Sequence, residues 1–338
     1  MQITKSFLLY LLLILISSPL FGVNEKKLGS SNYKYTLAIT SIFKDEAPYM
    51  QEWIEYYKLL GVDHFRLYNN DSEDNYLEVL EPYIQSGEVT LIDWPSDLTR
   101  LGPNEEWVWS TQHPACMDAI KCLSGKAKWL ALIDLDEFIL PFYYSDIPTF
   151  LKAYEDCSGV VINWCNFGTS HVVDIPPGQL LIETLTWRSN QISDVNKPVK
   201  SIVQPHKIDI KTKKWSPHTW PYLNDKEDFL SPNREVWHFG LIETSLARIN
   251  HYVHRTEKNY YEQKIPKTER MRGSKLSKRY IDEWKDSCNQ IEDTEILRFV
   301  PTLKDKIFPK KEAFIEEPEL GDPLFEEESG SEEIKRGN

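Results

Sequence analysis

The sequence predicts an α/β protein built on a mostly parallel sheet with helices on both faces, merged with a smaller mixed half. Three observations predict it. Between residues 36 and 141, short β-branched or apolar runs alternate with segments whose apolar residues recur at helical spacing, the order that builds parallel sheets. Residues 129–141 (WLALIDLDEFILP) place five apolar residues in a row before three carboxylates, as expected of a buried parallel strand that delivers acids at its C-terminal end. From residue 159 onward the pattern changes to short strands.

Taken in order, residues 36–43 (TLAITSIF) form an apolar first strand. Asp45 is placed to cap a helix with Pro48 in its first turn; Tyr49, Trp53, Ile54, Tyr57 and Leu60 recur along it and Gly61 ends it. Residues 64–68 (HFRLY) make a second strand closed by the polar turn 69–74. Tyr76, Leu77, Leu80, Tyr83 and Ile84 mark a second amphipathic helix stopped by Gly87, and 89–92 a third strand. A longer helix over 105–123, with Gly125 beyond it, leads into the acidic-ended strand.

Right-handed crossovers put the ends of all four strands at one sheet edge. Lys44-Asp45-Glu46, the turn 69–74, Asp93 and the cluster Asp134, Asp136 and Glu137 therefore share that edge, where an open α/β sheet binds its ligand. No G-x-G-x-x-G and no G-x-x-x-x-G-K follows a strand, so a phosphate cradle of backbone amides is not expected and a metal must take that role.

On an extended backbone Asp134 and Asp136 would point to one side, about 6.5–7 Å apart. Such a cluster is costly without a cation. Hard oxygen ligands select Mg²⁺ or Mn²⁺, and Mg²⁺ usually completes its shell with substrate phosphates. The alternative is a strand end capped by solvated acids.

With 338 residues, 41% of them hydrophobic, the chain can build one large or two modest domains. About half of the net charge of -13 falls in residues 311–338, which hold ten acids and three bases. The body is thus only mildly acidic and lacks the basic face that a nucleic-acid partner requires. Residues 7–16 are uninterrupted apolar residues after Lys5, followed by small residues at 17–22, so segment 1–22 reads as an export signal or membrane anchor and 23–35 as a linker. The five cysteines show no C-x-x-C, which argues against a zinc site or disulfide framework and for free thiols.

In the second half the expected strands are 160–164, 180–188, 200–203, 208–210 and 247–252. Trp164, Trp187, Trp215, Trp220 and Trp237 are either core or faces for sugar rings. His171, His206, His218, His238, His251 and His254 are also gathered here. Residues 275–292 look helical, and 310–338 form an acidic tail too poor in apolar surface to fold alone.

Several blocks, in order over residues 36–273, resemble glycosyltransferase family 92 and its family-2-like relatives: 44–56 (KDEAPYMQEWIEY), 60–65 (LGVDHF), 68–74 (YNNDSED), 129–141, 164–168 (WCNFG), 200–205 (KSIVQP) and 249–252 (INHY). The resemblance implies a GT-A fold, with a Rossmann-like nucleotide-sugar half at 36–158 and an acceptor half of the same domain at 159–309. It further implies an inverting hexosyltransferase that uses Mn²⁺ or Mg²⁺, a nucleotide-sugar donor, UDP-linked, and a glycan or other hydroxyl acceptor. The metal would fall to Asp134, Asp136 and His251, with Asp136 the direct ligand and His218 second to His251. The donor would meet Lys44, Glu46, Asn69, Asp71, Asp93, Asp134 and Lys200, with Arg255 beside the leaving diphosphate. Asn69 and Asn70 depart from the pattern, since relatives place an Asp there against the base. Glu183 and Asp174 are the candidate bases, with His218 in reserve.

Two rivals carry different chemistry. L-I-D-L-D also resembles the first motif of the haloacid-dehalogenase-like phosphatases, where the first Asp is a nucleophile; here about 130 residues precede it and Phe138 stands where Thr or Val is usual. The other is a glycan-binding protein that keeps the fold without turnover.

Overall fold

Alternation of apolar side chains between two sheet faces organises the molecule. A computed structural model describes residues 32–95, 111–211, 218–219, 230–235, 238 and 240–309. The apolar run 7–16, the first part of the helix expected at 105–123, Trp215, Trp220, Trp237 and the tail 310–338 lie outside the described residues.

The first half runs β1 (Tyr35–Phe43), α1 (Ala47–Leu59), β2 (His64–Asn69), α2 (Tyr76–Gln85), β3 (Val89–Asp93), α3 (His113–Leu123) and β4 (Ala127–Leu132). These strands pair in parallel in the order β3-β2-β1-β4. On one face Leu37, Ile39, Trp129 and Ala131 pack with Trp53, Ile54 and Tyr57 of α1. On the other, Ala38, Leu130 and Leu132 pack with Ala115, Ala119 and Ile120 of α3. Each fully buried aliphatic side chain contributes about 1.5–3 kcal/mol.

The cap of α1 differs from expectation. Asp45 has φ 56° and does not cap; its carboxylate accepts the Glu73 N–H at 2.7 Å. The Ala47 N–H donates instead to Asp74 at 2.7 Å, tying the helix start to the turn after β2.

After β4 the chain makes its decisive move. Residues 129–141 are two strands rather than one: β4 ends at Leu132 and β5 (Glu137–Pro141) lies at the far edge of the same sheet. Then follow α4 (Ile147–Leu151), β6 (Gly159–Asn166), α5 (Leu181–Thr184), β7 (Trp187–Arg188), β8 (Val199–Val203), β9 (Ala247–His251), α6 (Glu257–Asn259), α7 (Ile265–Arg272), α8 (Lys278–Ser287), β10 (Ile291–Glu292) and α9 (Val300–Ile307). The eight-stranded order is β3-β2-β1-β4-β8-β6-β9-β5, and β4–β8, β8–β6 and β9–β5 are antiparallel. One mixed sheet thus runs through both halves.

Two expected strands are absent. Residues 180–188 form α5 and only the two-residue β7, because Glu52 of α1 accepts the N–H groups of Leu181 and Ile182 at 2.7 and 2.9 Å and so starts a helix there. Residues 208–210 follow a 3₁₀ turn, Pro205–Lys207, and add no strand to the sheet. The helix expected at 275–292 is α8. All five cysteines are free.

Candidate active site

The site forms where the chain crosses from the sheet centre to its far edge. Between β4 and β5, residues 133–136 turn: the Glu137 N–H donates to the Asp134 carbonyl at 3.2 Å, and the Glu137 carboxylate accepts the Asp134 N–H at 2.9 Å. The two aspartates therefore do not line one side of an extended strand, as the alternating pattern suggested. They have separate partners.

Asp134 faces β8. Its Oδ2 accepts from Lys200 Nζ at 2.7 Å and its Oδ1 from Gln112 Nε2 at 3.3 Å. The Lys200 side chain is 3% exposed and also lies 3.6 Å from Glu137, which is fully buried. Burial raises Glu137 to about 8; Lys200 opposes the rise, while Asp134 and Asp136 add to it. Burial works against the Lys200 ammonium, but Asp134 and Glu137 outweigh it and hold its pKa above the ordinary lysine value. Asp134, expected as a metal ligand, is thus engaged by Lys200 and Gln112, with a third of its side chain exposed to the cleft.

Asp136 faces β9. Register places Glu137 opposite His251, and Asp136 Oδ2 lies 3.5 Å from His251 Nε2. The Trp164 ring, centroid 4.3 Å away, packs on the imidazole, and the Tyr252 N–H donates to the Asp136 carbonyl at 2.8 Å. Burial pushes the Asp136 carboxyl up, yet His251 and then Arg255 outweigh it and hold the group well below the usual carboxylate range. Arg255, at φ 53°, pairs with Glu46 across the cleft and lies 3.9 Å over the Tyr49 ring. Burial raises Glu46, Arg255 lowers it and Asp136 raises it, for a net upward shift.

A carboxylate oxygen and an imidazole nitrogen 3.5 Å apart fit a divalent cation, whose neighbouring ligands at about 2.1 Å bonds stand roughly 3 Å from each other. Among the described residues no group of three His, Cys, Asp or Glu forms a closed cage. Two ligands suit Mg²⁺ or Mn²⁺, which leave positions to water and substrate phosphate.

The other expected site residues divide. Glu46 and Lys200 join the cluster. His218 joins it as well: its Nδ1 donates to the Val199 carbonyl at 2.9 Å, its ring meets Trp164, and burial, with Lys200, lowers its pKa to about 4. Lys44 donates to the Asp71 carbonyl at 2.8 Å, fastening the loop after β1 to the turn after β2. Asn69 has partners beside it: its amide donates to Tyr76 and accepts from the Ser72 N–H, both at 2.9 Å. Asn70 likewise donates to the Trp94 carbonyl at 3.0 Å. Asp93 ends β3 exposed.

Neither carboxylate proposed as a base is in the cluster. Glu183 bonds Lys304 of α9 at 2.7 Å and the Leu180 N–H at 3.3 Å. Asp174 is well exposed and pairs with Lys258 at 3.2 Å. Sequence reasoning did not single out Gln112, Tyr49 or the clamping role of Glu137. Gln112 just before α3 carries no local signal, whereas Glu137 stood in the acidic run and only its buried pairing was illegible.

A parallel nucleotide-type half, a mixed second half on the same sheet and an acidic crossover at the strand ends are the GT-A arrangement of glycosyltransferases. The profile of glycosyltransferase family 92 matches residues 33–292, and the chain belongs to that family. A family 92 protein of Arabidopsis thaliana is 24% identical over 280 residues, 79% of this chain and 42% of that protein. One of Ricinus communis is 24% identical over 285 residues, 81% of this chain and 43% of its own length. The chain thus spans less than half the length of these relatives. Among solved structures, TarS 1–349 of S. aureus aligns over 84% of this chain and 76% of its own at 11% identity, TM-score 0.34. A Pyrobaculum calidifontis mannosyltransferase in complex with GDP-Man and Mn²⁺ aligns over 52% and 46% at 13% identity, TM-score 0.28.

Proposed function

We propose that this chain transfers a hexosyl group, with inversion, from a nucleotide-sugar donor, UDP-linked, to a hydroxyl of a glycan or glycoconjugate, using Mn²⁺ or Mg²⁺. The observation that carries the proposal is the Asp136–His251 pair, an oxygen and a nitrogen 3.5 Å apart. The apolar run 7–16 supports, as part of the same proposal, export or membrane anchoring.

The cation, when bound, shields the charge of the departing diphosphate. Asp136 and His251 would hold it. Asp134, fixed by Lys200 and Gln112, turns its exposed third toward the donor as a hydrogen-bond acceptor. Inversion needs a base on the acceptor side. Of the three candidates, His218 alone lies with Lys200, Asp134 and His251, and its Nδ1–H donates to the Val199 carbonyl.

The phosphatase alternative needs both acids of the D-x-D around one phosphoryl centre, whereas Asp134 is tied to β8 and Asp136 to β9. A donor screen with Mn²⁺, following nucleoside diphosphate release with and without acceptor glycans, tests the proposal. Release by wild type and its loss in Asp136→Ala support it. Phosphate release from simple monoesters without diphosphate release from any donor points to the phosphatase, and glycan binding without turnover points to the binding protein.

A further inference from the structure

A metal-ligating histidine ordinarily donates its second ring N–H to a carboxylate or a carbonyl, and that bond fixes the tautomer and the plane of the ring. Among the described residues His251 has no such bond. Its Nε2 lies 3.5 Å from Asp136, while its Nδ1 is buried without a hydrogen-bond partner. His218 is the contrast, since its Nδ1 donates to the Val199 carbonyl at 2.9 Å and its own carbonyl accepts the Ser201 hydroxyl at 2.6 Å. The last torsion of a histidine side chain is broad, so the position of β9 does not by itself set the plane of the His251 ring.

What packs on that ring is Trp164. Parallel pairing of β6 with β9 sets Trp164 beside Ile249, two places before His251, and alternation along a strand puts all three side chains on one face of the sheet. Diagonal neighbours on a sheet face are within reach of an aromatic side chain. The indole accordingly stands 4.3 Å from the His251 ring at 46°, and it also meets the His218 ring at 5.4 Å and 77°. Its backbone N–H donates to the Pro198 carbonyl at 3.0 Å, which anchors this residue of β6. Its Nε1 is buried and unpartnered among the described residues, so its hold on His251 is packing and not a hydrogen bond.

We propose that Trp164 is the positioning residue for His251: its indole takes the place of the absent hydrogen bond and holds the imidazole plane with Nε2 toward Asp136. This deepens the proposed function and rests on its assignment of the metal to Asp136 and His251. A flat, bulky neighbour keeps the ring in its plane, whereas an aliphatic side chain leaves it free to turn and so weakens one of the two ligands.

The test is an electron-spin-resonance titration of the full chain with Mn²⁺ alone, for wild type, Trp164→Leu, Trp164→Phe, His251→Ala and the double variant Trp164→Leu/His251→Ala, with a melting curve for each. Trp164→Leu should raise the Mn²⁺ Kd about tenfold, the loss expected when a ligand's support is removed. Trp164→Phe, which keeps a flat ring, should stay within about threefold of wild type. The double variant should bind within about twofold of His251→Ala, because a residue that acts through His251 has nothing left to position, and this separates the route through His251 from any through His218. A Kd in Trp164→Leu within about twofold of wild type overturns the inference and leaves the proposed function standing. So does a Trp164→Phe as weak as Trp164→Leu, or a double variant in which the two losses multiply, since either marks a general structural role. If Trp164→Leu does not melt cooperatively, Trp164→Met replaces it under the same limits. A wild type that binds no Mn²⁺, or a His251→Ala that binds it as wild type does, overturns the metal assignment and this inference with it.

Discussion

The Tyr57 hydroxyl donates to the Glu137 carbonyl at 2.9 Å and accepts the Ile139 N–H at 2.9 Å, so a side chain of α1 stands where another strand would pair with β5. Trp53 Nε1 donates to the same carbonyl at 3.0 Å, and the Tyr56 hydroxyl to the Ile139 carbonyl at 2.8 Å. A sheet edge with open backbone groups is a liability, and these three aromatic side chains close it. They also hold the backbone beside Asp136.

Tyr57→Phe deletes both bonds while keeping the ring. One buried N–H is orphaned and one carbonyl loses a donor, so unfolding stability should fall by about 1–3 kcal/mol. Urea denaturation should show a lower midpoint at unchanged slope.

Glu52 gives stability a defined pH dependence. Burial raises its pKa from 4.5 to about 7, against the bonds from Ile182 and Leu181, with Glu183 adding to the rise. The folded state then binds the proton more tightly than the unfolded one, so this group's contribution is full below about pH 4.5 and is lost as pH rises toward about 7, by roughly 3 kcal/mol over the window. In Glu52→Gln, thermal melts from pH 4.5 to 7.5 should lose that decline. A slope equal to that of wild type would show that Glu52 ionises normally.

Asp136→Ala should lower diphosphate release by at least about a hundredfold and abolish tight Mn²⁺ binding in an electron-spin-resonance titration. The fold should survive, because among the described residues the carboxylate's one ionic or hydrogen-bonding contact is His251 and the Tyr252 bond uses the backbone carbonyl. In wild type, a chelator should stop turnover and Mn²⁺ or Mg²⁺ should restore it.

Gly168→Ala tests the closure of the second half. A Cβ there would stand 2.3 Å from Asn289 Oδ1 and 2.6 Å from the Cys288 carbonyl. The backbone clash cannot be relieved by a side-chain rotation, and melting should show a loss of about 2 kcal/mol or more. The same segment is pinned by Asp293, buried between Arg188 at 2.6 Å and Arg248 at 2.7 Å.

The parallel half could be read because its signals are local. The β-branched run ending at Phe43, the helical recurrence from Tyr49 to Leu60 and the glycines at 61 and 87, both at positive φ, each act within a few residues. Leu180 to Leu185 misled because an apolar stretch is equally compatible with strand and helix, and the deciding groups are the Glu52 carboxylate oxygens on α1. The partners of Asn69 were illegible for a similar reason: nothing at a strand end announces that Tyr76 and the Ser72 N–H will bond its amide.

By itself the sequence determined the layering of sheet and helices and the gathering of acids at one edge, since hydrophobic period and charge pattern act along the chain. Only the tertiary structure decided that Leu132 ends one strand and Glu137 begins another four places away in the sheet order. Through that crossover it sent Asp134 to Lys200 and Asp136 to His251. The physical reason is that a carboxylate's role depends on which partner the fold brings within 3–4 Å, and those partners lie 66 and 115 residues away.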